Sequence, residues 1–180
     1  MSEKLIQESN QPANGKYTTN GTPHDFSSLT PFIAVSDASS ALNFYQEVFG
    51  AQLIDSTIVD GEVVHAELQF SNGRLQVGAA QPQYHVTAPD PSADDVHYSL
   101  GLYCPNVDEV VELAVSRGAV LREPLTSFVT GDRFASIRDP FGVRWSVMTR
   151  VEDLSAEESA ARVREWAQSM SAANSTESSS

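Results

Sequence analysis

The chain has 180 residues, 41% of them hydrophobic, with 24 acidic against 11 basic side chains and a formal charge of −13. That size allows one globular domain, or two small modules sharing a core. The charge weighs against nucleic acid and anionic membrane as partners and favours neutral or cationic small molecules, unless the acidity serves solubility alone.

A single cysteine, Cys104, cannot form an intramolecular disulfide and fits a reducing compartment. Beside Leu102 and Tyr103 it reads as an inert, buried thiol. Residues 1–8 lack the apolar core of a secretory signal, and no run approaches the ~20 apolar residues of a membrane span. The expectation is a soluble, cytoplasmic protein.

Residues 1–27 are rich in Asn, Gln, Gly, Thr and Ser and predict a disordered arm, since little apolar surface offsets the entropy of ordering. The body is expected over 28–152. Its first module, 29–80, opens with a strand at Leu29–Val35. Ser36-Asp37 caps a helix whose Ala41, Leu42, Tyr45, Val48 and Phe49 recur at helical spacing, and Gly50 ends it. Strands at Leu53–Asp60 and Val63–Phe70 flank the turn Asp60-Gly61. In the second, Val64, Ala66, Leu68 and Phe70 alternate with Val63, His65, Glu67 and Gln69, and the first set is expected to face the helix. Asn72-Gly73 then turns a hairpin into Leu75–Gly78.

The stretch 81–96 carries Pro82, Pro89 and Pro91 and reads as a linker. A second module follows over 97–150. A strand at His97–Cys104 and a helix from Asp108 to Arg117 come first, then strands around Val120, at Phe134–Arg138 and at Val143–Thr149. The last two are joined by the turn Asp139-Pro140-Phe141-Gly142, in which Pro fixes φ and Gly takes a positive φ. Thr30 and Ser99, and likewise Gly73 and Gly142, stand 69 positions apart, so the β-α-β-β-β order repeats in register. Ser155-Ala156-Glu157-Glu158, with Leu154 as staple, caps a C-terminal helix over 153–170 whose stripe is Val163, Trp166, Ala167 and Met170. A helix this short is marginal alone, so it is expected to dock on the body or on a partner subunit. Residues 171–180 read as a disordered tail.

Ala41-x-x-Phe44-Tyr45-x-x-Val48-Phe49-Gly50-Ala51 after the first strand, and the run 131–147 ending in Asp139-Pro140-Phe141-Gly142-Val143-Arg144-Trp145, resemble the vicinal oxygen chelate superfamily. That superfamily includes glyoxalase I, bleomycin and fosfomycin resistance proteins, extradiol dioxygenases and methylmalonyl-CoA epimerase. With His65-Ala66-Glu67-Leu68 and the run 144–155, the chain is most similar to the glyoxalase-like branch once mislabelled demethylubiquinone methyltransferase. The resemblance covers Leu29 to Arg164. It implies an α+β fold of two paired βαβββ modules forming a curled mixed sheet around a cavity, helices outside, plus the C-terminal helix, in a homodimer. In the superfamily's metalloenzymes four ligands of His, Gln or Glu type enter the cavity. Carried over, those positions are Thr30, Gln76, Ser99 and Ser146. Three are hydroxyl residues, weak ligands for a divalent transition metal, so the expectation is no metal ligand set of the usual kind and no cofactor.

Alternation about Leu75, Val77, Trp145 and Val147, which are taken to face the helices, turns Gln76, Arg144, Ser146 and Met148 inward with His65, Glu67 and Gln69. Phe32, Tyr103 and Phe134 supply aromatic walls to this substrate-binding set. His65 and Glu67, two apart on one strand, form a candidate acid/base pair or partial metal site; the alternative is a solvated face or a structural hydrogen-bond network. His24, His85 and His97 read as surface residues and Trp145 as core. Asp132 and Arg133 read as an ion pair at a strand entrance, with anion binding by Arg133 the alternative. Two functions follow as expectations. One is a metal-independent protein of bleomycin-resistance type, sequestering a small cationic or amphipathic compound in an acidic dimer cleft. The other is a glyoxalase-type lyase or isomerase using His65 and Glu67, with or without a divalent metal.

Overall fold

The structure, a computed structural model, describes residues 11–177. The predicted disorder of residues 1–10 and 178–180 lies outside that range. Residues 11–27 form a minimal antiparallel hairpin, β1 (Thr18–Thr19) with β2 (Thr22–Pro23). Its turn is Asn20-Gly21, both at positive φ (49° and 80°), with Asn14 Oδ1 accepting the Asn20 N–H at 2.8 Å. Composition predicts disorder here because the arm has no core; an Asn-Gly dipeptide needs none to turn the chain.

Module one comprises β3 (Phe32–Val35), α1 (Ala38–Phe49), β4 (Gln52–Val59), β5 (Glu62–Gln69) and β6 (Arg74–Ala79). Asp37 caps α1 by accepting the Ser40 N–H at 2.9 Å, and Gly50 closes it in the left-handed region. The sheet order is β3-β6-β5-β4, with β3 and β6 parallel and the other pairs antiparallel. Module two repeats the plan with β7 (Leu100–Tyr103), α2 (Val107–Ser116), β8 (Val120–Ser127), β9 (Asp132–Arg138) and β10 (Arg144–Arg150), in sheet order β7-β10-β9-β8 with β7 and β10 parallel. The fold is thus α+β, built from two βαβββ modules. Its strands form two separate four-stranded mixed sheets.

The expected parity of β5 holds for Ala66 and Leu68, which are buried, but fails further out: Val63 is buried and Val64 only partly so. The cause is a bulge. Pairing steps from Thr57↔His65 to Ile58↔Val63, which leaves Val64 as an extra residue and flips the side chains beyond it. Gln81 Nε2 donates to the Val64 carbonyl at 3.0 Å, and a Cβ on Gly78 stands 2.3 Å from that same oxygen. β4 shows a second shift between Leu53 and Asp55, and β8 shows two against β9 around Glu123. β7 is shorter than the predicted strand, because residues 97–99 belong to the linker that crosses module two.

The two modules share one core. On the helix side of the sheets, Ile33, Val35, Leu68 and Val77 join Val111, Ile137, Trp145 and Val147 in a single buried cluster. The joint between the modules is Asp139, 2% exposed. Its Oδ1 accepts the N–H groups of Phe141 and Val143, each at 2.9 Å, and its Oδ2 accepts the Tyr45 hydroxyl at 2.7 Å and Trp145 Nε1–H at 2.9 Å. Around it the Phe49 and Trp145 rings lie 4.7 Å apart.

α3 (Ala156–Glu177) begins at the predicted capping box: Ser155 Oγ accepts the Glu158 N–H at 3.2 Å and Glu158 accepts the Ser155 N–H at 2.9 Å. It extends past the predicted end at 170. Trp166 meets Phe128 edge-on at 5.1 Å, and Arg162 pairs with Glu152 at 2.8 Å. Trp166 nonetheless remains 41% exposed.

Asp139→Ala leaves the Tyr45 hydroxyl and the Trp145 indole N–H buried without an acceptor, and urea unfolding is expected to show a loss of about 3–5 kcal/mol. Gly78→Ala, forced against the bulge carbonyl, is expected to lower the melting temperature clearly at an otherwise conservative position. Burial holds the Asp139 carboxyl above its ordinary value of 3.8 even against four donors. The folded state therefore binds that proton more tightly than the unfolded chain. Its contribution to stability is complete below 3.8 and declines as pH rises through the folded value. Burial, then the Asp139 charge, also raises the Tyr45 phenol well above 10, so stability declines again in alkali as the unfolded chain releases a proton the folded one keeps. Urea melts across both windows, repeated on Asp139→Asn, are expected to show the acid-side decline flatten in the variant.

Candidate functional site

Each sheet has an open face turned away from its helix, and strand register sets what that face displays. In module one, Phe32, Gln76, Glu67 and Asp55 are cross-strand partners in one rung over four strands. The corresponding rung of module two is Gly101, Ser146, Ser136 and Glu123. The next rung of module two, Tyr103, Met148, Phe134 and Thr126, is bulky, whereas Ala34 and Gly78 pair at the matching place in module one. The repeat holds in strand order and pairing and is nearly opposite in side chains. Module one contributes an aromatic, amide and carboxylate rung; module two contributes hydroxyls beneath an aromatic rung.

The polar groups of module one are engaged with one another. Arg74 donates from Nη1 to Glu67 at 2.7 Å and from Nε to Gln69 at 3.0 Å, and Gln76 Nε2 reaches Glu67 at 3.5 Å. Phe26, from the arm, covers the guanidinium at 4.3 Å from its ring centroid. His65 stacks on Phe32 at 6.2 Å, and no hydrogen bond joins it to Glu67. Arg74 is absent from the sequence-derived site. The signal for it is the Asn72-Gly73 hairpin, whose register sets Arg74 opposite Gln69.

In module two, Arg144 donates to Ser136 Oγ through Nε and to Glu123 through Nη2 at 2.9 Å. The linker passes in front. His97, Tyr98 and Ser99 line a groove of about 430 Å3 with Glu123, Ser136, Arg144 and Ser146, and Ser99 Oγ stands 3.2 Å from Ser146 Oγ. The linker is fastened by Asp94, which pairs with Arg122 at 2.8 Å and Arg138 at 3.5 Å, and by Pro89 against Gly142. Pro- and Asp-rich composition marks this segment as a linker, but does not say which face it covers.

The ten residues expected to form the site therefore divide evenly. Phe32, His65, Glu67, Gln69 and Gln76 lie in module one; Tyr103, Phe134, Arg144, Ser146 and Met148 lie in module two. Gln69 and Tyr103 meet in a cleft of about 400 Å3 between the modules, and Arg144 and Ser146 meet in the linker groove. Phe32 and Tyr103 are 37% and 54% exposed, open ring surfaces on the two halves.

The four positions that the resemblance assigns to a divalent metal are engaged in contacts of their own. The Thr30 hydroxyl donates to the Ser27 carbonyl at 3.3 Å, Gln76 faces Glu67, and Ser99 and Ser146 face each other. Among the described residues no group of three or more His, Cys, Asp and Glu side chains is placed to hold a metal ion. Two smaller expectations change. Asp132 and Arg133 do not pair, because neighbours on a strand point to opposite faces: Arg133 binds Asp108 of α2 through two contacts of 2.6 and 2.7 Å, and Asp132 binds Arg150 at 2.8 Å. Cys104 is half-buried, and burial raises its thiol above the ordinary range, as suits an unreactive group.

A family model described as the Glyoxalase/Bleomycin resistance protein/Dioxygenase superfamily matches residues 27–147. An uncharacterized protein of Mycobacterium tuberculosis is 29% identical over 133 residues, spanning 72% of this chain and 78% of its own. Among solved structures, TioX from Micromonospora sp. ML1 is 25% identical with a TM-score of 0.55, over 69% of this chain and 98% of that one. A putative 3-demethylubiquinone-9 3-methyltransferase, PhnB protein, from Bacillus cereus is 20% identical with a TM-score of 0.54, over 68% and 99%; at that identity the likeness is one of fold. No helix among the described residues is long and apolar enough to cross a membrane.

The Arg74–Glu67 pair, 11% and 16% exposed in its side chains, is expected to behave as one unit. A double-mutant cycle with Arg74→Met and Glu67→Gln is expected to return a coupling of about 1–3 kcal/mol in urea melts.

Proposed function

The chain belongs to the Glyoxalase/Bleomycin resistance protein/Dioxygenase superfamily, and we propose that within it this protein is a metal-independent small-molecule binder. Its ligand is a small cationic or amphipathic compound carrying an aromatic ring, held on the open faces of the sheets. The observation that carries this reading is the mutual engagement of the polar groups there. Glu67 is held by Arg74 and Gln76, and Arg144 by Ser136 and Glu123. A general acid or base has to be within reach of a substrate proton. Side chains tied to one another instead form a fixed polar lining, as ligand pockets have.

Three features favour a cation with an aromatic body. The rings of Phe32 and Tyr103 are exposed, and an aromatic face attracts a cation by about 0.5–2 kcal/mol. Asp55 and Glu123 end the equivalent rungs of the two sheets. The charge of −13 draws cations from a distance. A second copy of the chain completes the arrangement by setting the module-one face of one protomer over the module-two face of the other, so that both kinds of rung meet one ligand in a homodimer.

The test is a titration with berberine, a planar aromatic cation, followed by its fluorescence at low salt and at ~0.5 M salt, where long-range attraction is screened. Saturable binding that survives salt, recovery of the dye unchanged, and affinity reduced about tenfold by Phe32→Ala are expected. A melting scan against Zn²⁺, Ni²⁺, Mn²⁺ and Fe²⁺ is expected to show no saturable rise. Binding that vanishes with salt and ignores Phe32→Ala overturns the reading. So does a metal-dependent turnover that His65→Ala or Glu67→Ala lowers by on the order of 10²-fold, the size expected for a lost acid or base.

A further inference from the structure

Between the modules, where the β5–β6 hairpin meets the outer edge of β7, lies a cavity of about 340 Å3 that borders the open face of module two at Gly101 and Tyr103. Its walls are the side chains of Phe70, Trp145, Leu100 and Leu102, and its rim is the hairpin tip at Ser71. One charged residue lines it, Arg74. Its side chain is 11% exposed, and the guanidinium is fixed on three sides: Glu67 on Nη1, Gln69 on Nε and the Phe26 ring across its face. Arg74 lines the cavity and its partner Glu67 does not.

We propose that this seam is a second binding site, for a small carboxylic acid with an aromatic or aliphatic body. The carboxylate accepts from the Arg74 guanidinium, and the hydrocarbon lies against Phe70, Trp145 and the two leucines. A planar guanidinium already held in place loses little freedom on taking an anion, which is the condition under which Arg discriminates carboxylate from its neutral analogues. The volume falls at the small end of ligand pockets, about 300–1,000 Å3, and suits a ligand of one ring and a short chain. The chemistry is opposite in charge to that proposed for the open faces, and the seam site does not rest on that proposal.

The probe is 4-phenylbutyrate against its neutral amide, titrated by calorimetry and by Trp fluorescence in a Trp166→Phe background, which leaves Trp145 as the sole indole. Saturable 1:1 binding of the acid with a change in Trp145 emission is expected, the amide binding at least about tenfold more weakly. Arg74→Met is expected to abolish acid binding. Because that variant also unpairs Glu67, Ser71→Asp serves as the second: it sets a carboxylate on the exposed hairpin tip, leaves the core untouched and is expected to weaken the acid at least about fivefold by repulsion. The proposal is overturned if acid and amide bind alike, if Ser71→Asp binds the acid as the parent does, or if no binding is seen up to about 10 mM, a standard free energy near −3 kcal/mol.

Discussion

The body of this protein is held together by a carboxylate that has no solvent to help it. Asp139 sits in the turn between β9 and β10, and its four hydrogen bonds serve two purposes at once. The two to Phe141 and Val143 make the turn; the two to Tyr45 and Trp145 bring the first module's helix onto the second module's last strand. Burying a charged group is costly unless its lone pairs are satisfied. Three of its donors lie within six residues of it and the fourth, Tyr45, is in the other module, so the modules have to be docked before the group is fully satisfied. That requirement makes a repeat of two small units behave as one domain with one core. It also fixes where the two open faces lie, because both sheets pack their opposite sides onto that core.

The two faces share a backbone and differ in what they carry. Register alone places Phe32 where Gly101 stands in the repeat, Gln76 where Ser146 stands and Glu67 where Ser136 stands. One half offers ring, amide and charge; the other offers hydroxyls and a bulky second row. The same backbone can bring such halves against a ligand from two directions without either half being a site by itself. Arg74 shows how closely neighbouring surfaces are linked: its guanidinium organises Glu67 and Gln69 on the open face, and the same residue lines the seam between the modules.

Much of the architecture was legible in the residues. The helix caps at Asp37 and Ser155, the turns at Asn72-Gly73 and Asp139–Gly142 and the 69-residue offset fix element order and the repeat, because each is a local rule with a local cause. The helix-facing set Leu75, Val77, Trp145 and Val147 was legible too, as strand parity is local. What escaped was long-range. The bulge at Val64 shifts half a strand, and it depends on Gln81 and Gly78, which reach it only in the folded sheet. The path of the linker depends on Asp94 finding Arg122 and Arg138, an encounter with no signature in the composition of residues 81–96. Asp139 was read correctly as turn chemistry, but its second oxygen answers to Tyr45, 94 positions earlier. Whether Glu67 acts as a base or as structure turns on Arg74, whose placement follows from hairpin register rather than from any motif.

The shifts at the outer strands have a consequence for what the protein avoids. β4 and β8 are the far edges of their sheets, and β4 is exposed along all eight residues with Leu53, Ile54, Ile58 and Val59 among them. A flat strand of that composition is a template for fibril growth, each chain offering its bare backbone to the next. Both edges are instead interrupted twice in register, and β8 carries Pro124, which has no N–H to give. The interruptions bend the ladder so that an incoming strand cannot match it over more than a few residues. Such interruptions oppose polymerisation through the sheet edges and leave side-chain surfaces, where recognition can be selective, as the places for contact.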